Sequence, residues 1–224
     1  MLAVDDLTDA AVAAAASDSL MHYSAVRVGH VSPKTKASLD HVLCWHHLEF
    51  FPSVASCQYI FIHVPSTKSR PGTELRPFWT AVGQVTSAPL TCPVRWMSLH
   101  FERNFRGDPT APIFVGRDGL SIGRTSFQQA LQLRLELAVR SYLPEHGFDV
   151  RHFTGISFRK GGITALSRAA AEHKILVNQV ADFADHQDIQ TTRRYDEASV
   201  ASRATFSDVI GSGIISAWAA FEHA

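Results

Sequence analysis

The chain has 224 residues, 46% of them hydrophobic, enough to bury a core in one compact domain or two small ones and too apolar for disorder as the main state. Lys+Arg and Asp+Glu both number 21, so a uniformly basic nucleic-acid coat protein is excluded and any anionic partner must meet a local cluster. The longest apolar run, Ala10 to Ala16, falls far short of the roughly 20 residues that span a bilayer. Asp5, Asp6 and Asp9 stand where a secretory signal carries positive charge, which leaves an intracellular setting as the expectation.

In chain order, the Ala-rich stretch from Leu7 to about Val28 predicts one or two helices forming one side of the core. His41 to Phe51 and Gln58 to Val64 are aromatic and β-branched and are bounded by turn residues. With Phe78 to Val85 they are expected to form a small antiparallel sheet. The adjacent His46 and His47 would then point to opposite faces of a strand, where they cannot easily share an ion, and no metal is expected. Cys44, Cys57 and Cys92 lack paired spacing and read as reduced, buried or half-buried thiols.

Pro93 at a first helical position opens a helix to Asn104, and Arg106 to Pro112 is a surface loop. Leu131, Leu133, Leu135 and Leu137 alternate as in a strand, but the Gln, Leu, Arg, Glu and Ala around them favour a helix, which is the expectation. Helices are predicted over Ser157 to Glu172, Ile175 to Ala184 and Asp188 to Ala198. A break at Gly211 to Gly213 and an apolar stretch, Ile214 to Phe221, follow.

The segment from His152 to Ala198 carries the chemistry. Arg159 offers a rigid fork of donors for phosphate oxygens, His186 adds a donor, and the Tyr195 hydroxyl is able to attack phosphorus without a metal or other cofactor. His186 and Tyr195 are nine residues apart and would face opposite ways on one straight helix, so a turn between them, with Asp188 as the next N-cap, is needed for them to converge.

The string Asp185 to Tyr195 (DHQDIQTTRRY) resembles the histidine-to-nucleophile box of tyrosine recombinases, the phage-integrase family, and Ile156 to Gly162 (ISFRKGG) resembles that family's H-x-x-R box. The Arg-Lys-Gly-Gly form is similar to recombinases of Crypton and DIRS-like mobile elements. Tyr23 to His30 (YSAVRVGH) is similar to the box of the first arginine, Arg27, and Ser66 to Arg70 (STKSR) to the hairpin lysine, Lys68. The resemblance implies an α+β, mainly α-helical catalytic domain over 1–210, with a small antiparallel sheet and a C-terminal tail or helix over 211–224 that is exchanged between protomers or packs in cis. Too little sequence precedes Arg27 for the family's N-terminal core-binding domain.

It also implies DNA cleavage and rejoining. Tyr195 would form a 3′-phosphotyrosine, Arg27 and Arg159 would hold the non-bridging oxygens, Lys68 would protonate the leaving 5′-oxygen, and His186 would place the phosphate. Lys160, Arg70 and Arg194 are candidate DNA contacts. The implied partners are double-stranded DNA and further copies of the chain, in the nucleus if the source is eukaryotic. Residues 51–110 hold six Lys/Arg against three acids, whereas 1–50 hold three against six, so basic charge gathers around the candidate lysine.

Three positions depart from the family pattern. Ile156 replaces the histidine of H-x-x-R, on the face of Arg159, and offers no proton acceptor; His30 replaces an acidic residue after Arg27; Asp185 replaces the glycine before His186 and brings a negative charge beside a phosphate. They leave room for an alternative, a recombinase-derived DNA-binding or assembly protein with impaired catalysis.

Overall fold

The structure, a computed structural model, describes residues 7–34, 41–65, 78–116, 118–142, 149–172 and 175–185. It is α+β and mainly helical, with six α-helices and one three-stranded antiparallel sheet among these residues. None of these helices is long and apolar enough to cross a membrane.

The first helix, α1 (Asp9–Ser24), starts at Thr8, whose hydroxyl accepts the amide of Ala11 at 3.2 Å. Its small Ala and Ser residues let neighbours approach from several sides, and Val12, Ala16, Leu20 and Met21 are fully buried. The expectation of a helix on one side of the core is corrected here: α1 runs through the middle, against helices α3 (Pro93–Asn104) and α5 (Gly155–Glu172) and strand β3 (Phe78–Gly83). One acid is buried within it. Asp18 pairs with Arg134 of α4 (Arg124–Tyr142) at 2.9 Å, tying the two helices together.

The sheet runs β1 (Leu48–Phe51), β2 (Tyr59–Val64), β3, with Leu48 opposite Ile62 and Ile62 opposite Thr80. Ile60, Ile62 and Val64 face the core while Tyr59 and His63 face outward, the alternation of a half-buried strand. The first strand is shorter than its composition predicts. Trp45–His47 form a 3₁₀ turn, closed by Cys44 and His47: the Cys44 amide donates to His47 Nδ1 at 2.9 Å, and the Cys44 side chain accepts the His47 amide. These local bonds compete successfully with strand pairing.

Helix α3 begins at Pro93 and ends at Asn104 as expected. In α4 the leucines follow helical geometry: Leu131 and Leu135 are buried, while Leu133 is 46% exposed. Helix α5 starts two residues before the predicted position, and α6 (Val177–Phe183) is shorter than predicted at both ends. All three cysteines are free and buried. The predicted helix from Asp188 and the apolar stretch from Ile214 lie outside the described residues.

Candidate anion-binding site

Helix α5 reaches α1 and the short α2 (Val28–Val31) through two glycines. A Cβ on Gly162 would collide with the carbonyl oxygen of His22, and one on Gly155 with Cγ2 of Val28. Gly155, Arg159 and Gly162 are spaced four and three residues apart, so they share one helical face, and the close approach at the glycines drives the arginine between them into the interface.

Arg159 is consequently buried, and its guanidinium donates to the carbonyls of Ala25, past the end of α1, and of Ala184, past the end of α6. Arg27 arrives from the other side. It is the N-cap residue of α2, following the left-handed turn at Ala25. Its Nη2 donates to the Asp185 carbonyl at 3.4 Å and its Nη1 lies 3.3 Å from the Asp185 carboxylate. Two arginines separated by most of the chain therefore converge on residues 184 and 185, directly before His186. Beside them Ala25, Ile163, Val180 and Ala184 form a small apolar cluster that seats α6 against α5 and the end of α1.

His30 supports this corner. Its Nδ1 carries the proton, because it donates to the carbonyl of His41 at 2.8 Å. Burial, reinforced by the positive charges of Arg27 and Arg159, lowers its pKa to about 4. The ring is neutral at physiological pH and adds no charge of its own.

Asp185 has a backbone φ of 49°, a left-handed conformation that glycine adopts most readily and aspartate tolerates. The position thus keeps the geometry of a helix-ending glycine. The carboxylate turns onto Arg27, so its charge is matched by a guanidinium. Ile156 does not share the burial of Arg159 as its spacing suggests: it is 53% exposed, an apolar side chain on the open face. Lys160 is exposed next to the buried Arg159.

A third arginine was not legible in the sequence. Arg124, at the start of α4, places Nη2 3.1 Å from where a Cβ on Gly29 would stand, and its buried Nε has no hydrogen-bond partner among the described residues. The only local signal is the absence of a side chain at Gly29, which is uninformative until α4 is known to pack there. Lys68, Arg70, His186, Arg194 and Tyr195 lie outside the described residues.

No protein-family model matches the chain, and no curated protein matches it in sequence. Among solved structures it is similar to the Tn1549 transposon integrase in complex with transposon right-end DNA, at 11% identity and a TM-score of 0.49. That likeness covers 86% of this chain and 56% of the other, so the chain spans little more than half of that neighbour's length.

Proposed function

We propose that this chain carries out DNA strand cleavage and rejoining by tyrosine-recombinase chemistry. One observation carries the reading: Arg27 and Arg159, from separate sequence boxes, meet at the backbone that leads into the box of His186 and Tyr195. Two guanidinium groups at one point suit a phosphodiester, whose charge grows as the phosphorus becomes five-coordinate. In this reading the Tyr195 oxygen bonds to phosphorus, the bond to the 5′-oxygen breaks, and Lys68 gives that oxygen a proton. The 3′-phosphotyrosine retains the bond energy, so rejoining to a 5′-hydroxyl needs no nucleotide cofactor. Lys160, Arg70 and Arg194 would contact the duplex, and copies of the chain would assemble on it.

Nicked duplex substrates that trap the covalent intermediate test this directly. The full chain should give a protein–DNA adduct on denaturing gels and Tyr195→Phe none. Arg159→Ala should lower the yield by about 100-fold, the usual effect of losing one donor to a developing oxyanion. An adduct that persists in Tyr195→Phe overturns the assignment.

The Asp185 carboxylate on Arg27 and the apolar Ile156 favour a second reading, a DNA-binding protein with impaired catalysis. It predicts DNA retention without an adduct, and a gain of adduct in Ile156→His as a proton acceptor is restored.

A further inference from the structure

The turn that replaces the first part of the expected strand brings together Cys44 and two histidines that a strand would hold on opposite faces. One ligand atom from each of Cys44, His46 and His47 lies within 4.8 Å of the other two, and the two imidazole centroids are 3.9 Å apart. In a tetrahedral zinc site with Zn–S near 2.3 Å and Zn–N near 2.0 Å, ligand atoms stand about 3.5 Å apart, so side-chain adjustment suffices to close the set.

We propose that Cys44, His46 and His47 form a binding site for a borderline-soft divalent cation, represented by Zn²⁺, with a fourth position open to water. Each group has a lone pair suited to the task. His46 donates from Nδ1 to the Pro109 carbonyl at 2.9 Å, which fixes the ring and leaves Nε2 as the free base, the usual outer-shell support of a metal-bound histidine. His47 has its lone pair on Nδ1, where it now accepts the Cys44 amide; the cation takes the place of that N–H. Cys44 enters as thiolate and its proton passes to solvent, while the His47 amide already points at the sulfur.

The backbone is braced before any ion arrives. The amides of Trp45 and His46 donate to the carbonyls of Ala111 and Pro109 at 3.2 and 2.8 Å, and Cys44 bridges to Pro112. The neighbouring Leu43 amide donates to the His30 carbonyl at 2.8 Å, so a bound ion stiffens the segment that packs on α2 and its arginine. The set of one thiolate and two imidazoles suits Zn²⁺ and excludes Mg²⁺, which takes oxygen ligands.

Calorimetric titration of the full chain with Zn²⁺, and absorption spectroscopy with Co²⁺, test the site. One Zn²⁺ per chain is expected, with proton release revealed by buffer-dependent enthalpy, and Co²⁺ should show thiolate-to-metal charge transfer. Cys44→Ser should abolish that transition. His46→Gln, an exposed change whose fold is checked by circular dichroism, should weaken Zn²⁺ at least tenfold, and Mg²⁺ should not compete. No binding, or binding equal in wild type, Cys44→Ser and His46→Gln, overturns the proposal and in the latter case assigns the ion to other histidines.

Discussion

Two aspartate–arginine pairs join distant parts of this chain, and they do different work. Asp18 of α1 and Arg134 of α4 meet at 2.9 Å, with side-chain exposures of 3% and 12%. Asp185 and Arg27 meet at 3.3 Å, with the carboxylate as buried as that of Asp18, at 3%, but the arginine 28% exposed, against the chain that leads into the proposed nucleophile box. Burial raises the Asp18 pKa above its ordinary 3.8 even though Arg134 opposes the shift, which marks a charge enclosed for good. The difference lies on the arginine side: both carboxylates are buried, but Arg134 is nearly enclosed whereas Arg27 keeps a face open to solvent, the face the proposed function would use.

The largest effect is expected of Arg134→Met. It strands the Asp18 carboxylate and should destabilise the fold by about 3–5 kcal/mol in urea unfolding, with the loss partly relieved in acid as Asp18 takes a proton. A loss below 1 kcal/mol would make the strut no different from a surface pair.

Acid separates site from scaffold next. His30 beside the arginines and His100 in the core both titrate near 4, against 6.5 for an unfolded histidine. Burial is the main cause for each. His100 also accepts the Asn104 amide at Nδ1 while donating from Nε2 to the Ile113 carbonyl, so a second proton would break a bond. The unfolded chain binds more protons between pH 6.5 and 4, so each ring contributes stability that falls on acidification by up to about 1.4 kcal/mol per pH unit. Asp18 contributes in the opposite sense above 3.8. Urea midpoints across this window should fall less steeply with acid in His100→Phe and in His30→Phe, but only the latter should alter DNA retention.

The smallest change in stability and the clearest contrast belong to Asp185→Gly. It relaxes a left-handed φ, which partly offsets the loss of the buried carboxylate's pairing with Arg27, so stability should fall by less than in Arg134→Met, where a buried charge is stranded. If the proposed function holds, DNA affinity at low salt should rise on the order of tenfold as a negative charge beside Arg27 is removed. Unchanged affinity would show that Arg27 does not meet DNA.

Much of this architecture is readable from local chemistry. Pro93 announces α3 because its fixed φ and missing amide suit a first helical position, and the leucines of α4 follow composition over apparent alternation because Leu131 and Leu135 share a face. Local reading fails at Trp45–His47, where aromatic residues look strand-like until the bonds between Cys44 and His47 are known. It fails also at Arg124, whose relevance depends entirely on which helix it packs beside.

Neighbouring residues along the chain are enough to place the helices and strands in order and to exclude a long apolar span, and they carry the resemblance around Arg27, Arg159 and Tyr195, since each depends on local pattern. The convergence of Arg27 and Arg159, the seat of Asp185 on Arg27 and the gathering of Cys44, His46 and His47 emerge only in the folded chain. Those outcomes hang on the close passage of α5 over α1 and α2 at Gly155 and Gly162, and on a loop from Asp108 to Pro112 that holds a turn in place. The arginine contacts join segments far apart in the chain and form only when the whole core is buried, so no local pattern encodes them.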